Sequence, residues 1–253
     1  MLRQGLRGAG FAALTVACGT GVFVGVTLAS GDVDKSRARD RWSAGWSHAL
    51  LALFRIEVDV DGDPGPPGVG RGRGRVVVCN HRSIIDIAIL LSLFGGALVS
   101  RGDLEGWPII GPAARSAGTI FVDRGNKKSG ARAIDAMVER LRAHDTICLF
   151  PEGTTYVDDE VRPFKPGACV AATRAEVPVV PVALAYPLDS GAAFGGETFA
   201  KHLARLAAAP KTRVRIKVGS PTEKEAHETV PEFSERCRAE VARLLASVRG
   251  REG

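Results

Sequence analysis

Short apolar runs alternating with amphipathic helical patterns predict an α/β fold, a sheet with helices on its faces. Gly8 to Ser30 contains no charged residue, which adds an N-terminal membrane-associated helical segment. The length of 253 residues, 45% of them hydrophobic, suits one such domain with a full core and a short appendage. The expected division is residues 1–56 for the anchor and an interfacial helix, and 57–253 for the folded domain.

At about 1.5 Å rise per residue, a helix over 8–30 reaches across most of a bilayer's roughly 30 Å hydrocarbon core. Glycines at 10, 19, 21 and 25 make it only moderately apolar, so three readings stand: a membrane anchor, a signal peptide cleaved near Ala29, or a buried segment. Arg3 and Arg7 precede it, whereas Lys35, Arg37, Arg39 and Arg41 follow. That excess of positive charge places the main domain on the cytoplasmic side of the membrane. Trp42, Trp46, Leu50, Leu53 and Phe54 then recur at helical spacing. They suit either an interfacial helix with its tryptophans at head-group depth or an amphipathic helix packed on the domain.

Gly62 to Gly74 is a Gly/Pro/Arg loop. Beyond it, strands are expected at Val76–Cys79, Ala97–Ser100, Thr119–Val122, Thr146–Phe150, Val179–Ala185 and Val214–Val218. Helices are expected at Ile84–Phe94, Lys127–Ala143, Ala168–Ala175, Glu197–Ala208 and Pro231–Val248. Prolines 178 and 181 mark the fifth strand as constrained or at a sheet edge.

The net charge of +6 favours anionic partners such as phospholipid head groups, phosphorylated substrates or an acidic carrier protein. Nucleic acid is not expected: only 6% of residues are aromatic, and neither a metal-finger nor a stacking motif accompanies the charge. The five cysteines are scattered, odd in number and never in a C-x-x-C pair, which argues against a disulfide framework or zinc site and for a reducing compartment. No G-x-S-x-G elbow suggests a serine hydrolase, and neither nucleotide-binding glycine motif occurs.

The sharpest local signal is Asn80-His81-Arg82-Ser83-Ile84-Ile85-Asp86, directly after a strand. Among the five histidines only His81 has an aspartate five positions on. Within a regular helix the two would sit about 140° apart. They meet only if His81 lies on the lead-in turn and Asp86 in the first helical turn. Asp86 would then fix the imidazole tautomer and leave the other nitrogen as a base. Ser83 and Asp86 also have the spacing of a capping box, which gives Asp86 the alternative task of closing the helix and nothing more. Three further segments end strands: Gly118 to Arg124, Phe150 to Thr155, and Val177 to Val182.

In this order the four segments resemble the four blocks of the glycerolipid acyltransferase family typified by lysophosphatidate acyltransferase, over roughly Val76 to Ala185. The resemblance implies a mixed, mostly parallel sheet flanked by helices. It also implies transfer of a fatty-acyl group from an acyl thioester, on coenzyme A or acyl carrier protein, to a lysolipid hydroxyl, with lysophosphatidate as the leading acceptor. His81 would be the base and Asp86 its orienting partner. Arg124 would bind the acceptor phosphate, Glu152, Gly153, Thr154, Thr155 and Lys165 would shape the acceptor site, and Pro181 would line the acyl region. No metal or other cofactor is implied. The family commonly has Arg where this chain has Thr155, which supplies a hydrogen bond but no charge. Relatives that acylate lyso-ornithine lipid resemble the Gly-Thr-Thr version. A catalytically silent lipid-binding protein on the same fold is the rival class, opposed by the intact His81/Asp86 pair.

Overall fold

The computed structural model describes residues 2–68, 72–123 and 125–250. A helical hairpin, α1 (Leu2–Leu28) and α2 (Asp32–Phe54), leads into β1 (Ile56–Asp61) and β2 (Arg75–Cys79). Then follow α3 (Ile85–Phe94), β3 (Ala97–Arg101), the short α4 (Ile110–Ser116), β4 (Ile120–Val122), α5 (Lys127–Arg142) and β5 (Thr146–Leu149). The chain ends with α6 (Gly167–Ala175), β6 (Val179–Ala185), α7 (Phe199–Ala208), β7 (Thr212–Val218) and α8 (Val230–Arg249). The strands form one sheet in the order β1-β7-β6-β2-β5-β3-β4. Every neighbouring pair is parallel except β6 and β7, so the sheet is mixed and mostly parallel, as the fold class required.

Burial on both faces explains why the central strands read as continuous apolar runs. Val76 and Val78 point to a core built with Met137, Leu141, Phe233 and Val241, under α5, α6 and α8. Val77 and Cys79 point the other way, into a core with Phe54, Ile89, Phe94 and Leu206, under α2, α3 and α7. Each buried Val, Leu, Ile or Phe contributes roughly 1.5–3 kcal/mol, so the two cores together dominate the fold's stability. Helix starts are marked by side chains. Asn126 accepts from the amides of Lys128 and Ser129 at α5, and Thr229 with Glu232 forms a full capping box at α8.

Two readings need correction. β1 was not expected, although Ile56, Val58 and Val60 alternate with Glu57, Asp59 and Asp61. Its acidic residues disfavour a strand on their own; Glu57 is matched by Lys211 and Arg213, and Asp61 by Lys217, all from the distant β7 region. β6 is not an edge strand but lies between β2 and β7. Proline is tolerated at 181 because its imide faces the point where β7 has ended. The amide of Gly219 donates to the Pro181 carbonyl at 2.8 Å, and ladder pairing resumes only at Val182 with Val218.

Helix α1 is fastened along its length. Arg7 donates to the carbonyls of Ala207 and Ala209 at the end of α7, Phe11 meets Phe199 at 6.1 Å, and Trp46 of α2 donates to Thr15 at 3.2 Å. Its glycines permit this approach: a Cβ on Gly21 would stand 2.5 Å from the Trp42 ring, and one on Gly19 3.3 Å from Ala113 of α4. The opposite side exposes Leu2, Leu6, Val16, Phe23 and Leu28. By length and composition α1 could cross a membrane. In α2, Leu50, Leu51 and Phe54 are buried in the core beneath α3.

Candidate active site

The C-terminal end of β2 delivers the dyad. Asn80 follows Cys79 and acts as an extra rung of the sheet: its Nδ2 donates to the Leu184 carbonyl at 3.0 Å and its Oδ1 accepts from the Leu184 amide at 2.9 Å. The chain then turns before α3, placing His81 on the turn and Asp86 in the first helical turn, the one arrangement in which they can meet. His81 Nδ1 lies 2.9 Å from Asp86 Oδ2. A carboxylate only accepts, so Nδ1 carries the proton and Nε2 is left with a lone pair.

Asp86 is fully buried and uses both oxygens. Oδ2 also accepts from the amides of Arg82 at 2.6 Å and Ser83 at 2.8 Å, while Oδ1 accepts from the Tyr186 hydroxyl at 2.6 Å. The reach-back half of a capping box is therefore present, but the Ser83 side chain goes elsewhere, and Asp86 both closes the turn and orients the imidazole. Burial, reinforced by the Asp86 charge, pushes the Tyr186 phenol well up, so it stays a donor. The His81 ring stacks on Phe150 at 3.9 Å and 10°, and its side chain keeps 17% exposure where that of Asp86 has none. The imidazole is reachable and its carboxylate is not.

The second strand end, β5, fixes the same turn from the other side. The Glu152 side chain is turned inward and fully buried. It accepts from the His81 amide at 2.9 Å, the Arg162 amide at 3.1 Å and the Arg82 guanidinium at 3.2 Å. Tyr156 donates its amide to the His81 carbonyl at 3.1 Å, as Arg82 does from its side chain at 2.9 Å. Gly153 has φ +85°, a conformation that favours glycine, and the neighbour a Cβ would meet there is the movable end of Lys165, at 2.9 Å. Thr154 and Lys165 are exposed and Thr155 is half-buried. Pro181 is buried within β6 against Gly219. Arg124 lies outside the described residues; beside it, Asp123 accepts from the Gly125 amide at 3.0 Å. Reading the residues alone missed Tyr186, whose only signal is a polar-tipped aromatic directly after a wholly buried strand, and the side-chain role of Arg82.

An imidazole held at a strand end, with its carboxylate sealed behind it, is an arrangement that can accept a proton. The chain matches the Acyltransferase family model over residues 64–185. It resembles the lyso-ornithine lipid O-acyltransferase of Brucella abortus, 36% identical over 47% of this chain and 48% of that one. Likewise it resembles the protein of that name from Pseudomonas aeruginosa, 34% identical over 57% of each. The 1-acyl-sn-glycerol-3-phosphate acyltransferase of Neisseria gonorrhoeae is 28% identical over 46% of each. The chain thus spans about half the length of the curated relatives it matches. The crystal structure of the 1-acyl-sn-glycerophosphate acyltransferase of Thermotoga maritima superposes with a TM-score of 0.70 over 97% of this chain and 98% of that one, at 19% identity, which shows a shared fold.

Proposed function

We propose that this protein transfers a fatty-acyl group from an acyl thioester to the free hydroxyl of a lysolipid. The observation that carries the proposal is the His81–Asp86 contact, in which the imidazole keeps 17% exposure and Nε2 has no hydrogen-bond partner among the described residues. Nε2 takes the proton of the acceptor hydroxyl as its oxygen attacks the thioester carbonyl. The C–S bond then breaks, and the imidazolium returns its proton to the departing thiolate. Asp86 stabilises the cationic ring between those two events. The donor is an acyl thioester of coenzyme A or of acyl carrier protein, and the chemistry asks for no metal.

The acceptor is drawn from the classes named for the relatives. Thr155, in place of a guanidinium, and the two relatives named for lyso-ornithine lipid favour that acceptor; the relative named for the glycerol phosphate favours lysophosphatidate. Membrane lipids are the natural surroundings of either. We place the exposed apolar side of α1 against the bilayer, with the catalytic domain on the cytoplasmic side, where Lys35, Arg37, Arg39 and Arg41 belong. Purified protein supplied with an acyl thioester and each lysolipid in turn tests the proposal. Thiol release and an acylated product are expected with at least one acceptor, and a folded His81→Ala protein should lose activity by orders of magnitude. Near-normal rates from that variant would refute the assigned base.

A further inference from the structure

Behind the dyad stands a second histidine with a matching set of partners. His202 of α7 is fully buried, as is Ser83, and His202 Nε2 lies 3.1 Å from Ser83 Oγ. On the other side of the ring, Nδ1 lies 3.0 Å from Glu197 Oε1. Arg205 Nη2 also approaches Nδ1, at 2.8 Å, but its two hydrogens are engaged by the Ala193 carbonyl at 2.9 Å and by Glu197. Nδ1 therefore carries the proton and gives it to Glu197, and Nε2 accepts from the Ser83 hydroxyl. The order serine, histidine, carboxylate is that of a nucleophile and its base. Ser83 nevertheless has no exposed surface from which to meet a substrate, so the set anchors rather than attacks.

What it anchors is the turn itself. Ser83 and Arg82 supply the two amides that bind Asp86 Oδ2. Both are held from the rear by one segment: the Phe194 amide donates to the Arg82 carbonyl at 2.6 Å, and the Phe194 ring stacks on His202 at 4.6 Å. We propose that His202 is a positioning residue for acyl transfer, fixing through Ser83 the pair of amides that aims the Asp86 carboxylate at His81. This rests on the acyl-transfer reading above and adds to it a residue that lies on α7, far along the chain from the dyad.

Three variants test it. His202→Leu removes the acceptor for Ser83, His202→Gln keeps an oxygen near the place of Nε2, and Ser83→Ala removes the same bond with little change in volume. In His202→Leu and Ser83→Ala, kcat is expected to fall about 10- to 100-fold, the size of effect that a small misplacement of a catalytic group produces. KM for either substrate should change less than about threefold, and His202→Gln should recover most of the rate. A purely structural role would not produce that split or that rescue. The low-field proton on His81 Nδ1, read by NMR, gives a second measure that needs no turnover. It should weaken or shift in His202→Leu and Ser83→Ala and persist in His202→Gln. If wild-type protein transfers no acyl group, the functional reading fails, and this proton alone decides the positioning role. Folded Ser83→Ala with an unmoved proton and, where wild type is active, an unchanged kcat would overturn the inference, whether or not His202→Leu folds.

Discussion

Replacing Asp86 by asparagine separates orientation of a charged ring from closure of a helix. The amide oxygen of the new side chain would still accept from the backbone of Arg82 and Ser83, and the Tyr186 hydroxyl could turn to accept from its amide nitrogen, so the turn should survive. What disappears is the negative charge 2.9 Å from His81 Nδ1. When His81 takes a proton, that charge is worth about 6 kcal/mol at an effective dielectric constant near 20. The figure is an upper bound, because both charges are spread over several atoms. At about 1.4 kcal/mol per decade, kcat should drop roughly a thousand- to ten-thousand-fold. The assay is thiol release from an acyl thioester in mixed micelles with a saturating lysolipid, alongside a thermal melt. If Asp86→Asn melts near wild type and retains more than about a tenth of its kcat, Asp86 serves the turn alone and the proposed base has no electrostatic partner.

Glu152→Ala leaves the buried Arg82 guanidinium without its carboxylate and should cost about 3–5 kcal/mol; in a chain of this size that lowers the melting temperature on the order of 10 °C. An unchanged melt with a raised acceptor KM would instead make Glu152 a substrate contact. Thr155→Arg should raise kcat/KM for lysophosphatidate relative to lyso-ornithine lipid, and an unaltered ratio would make that position neutral. The Arg236 guanidinium holds the Glu228 carboxyl down at about 2. Its folded value thus lies below the unfolded one, so this contribution is complete above about pH 4.5 and is lost as pH falls towards 2. Arg236→Ala should flatten that part of an acid-unfolding curve. Gly21→Val forces a side chain into the Trp42 ring and should part α1 from α2, read as faster proteolysis near residue 30, while the sheet's melt changes little.

Much of the architecture is written locally. The apolar runs of β2, β5 and β6 are continuous because both faces are covered, and the stripe Met137, Val138, Leu141 shows which side of α5 is buried. The dyad was legible because its spacing excludes a regular helix and so demands a turn. Features created by distant contacts were not. β1 depends on basic residues of the β7 region for its acidic side, and Pro181 could enter the middle of a sheet only because β7 stops beside it. The resemblance assigns Glu152 to the acceptor site, but sequence gives a residue's type and not its direction, and the buried Arg82 turns it inward. Nothing local marks His202, which becomes notable only when α7 sets it against Ser83.

The rung supplied by Asn80 gives the turn its own clock. The Leu184 amide bonds to the Asn80 side chain rather than to a strand carbonyl. Swapping of that hydrogen for deuterium therefore requires residue 80 to let go, whereas the neighbouring pairing of β6 with β2 and β7 can stay intact. Followed site by site, the labelling rate at one leucine would time how often the catalytic segment loosens, independently of how often the sheet does.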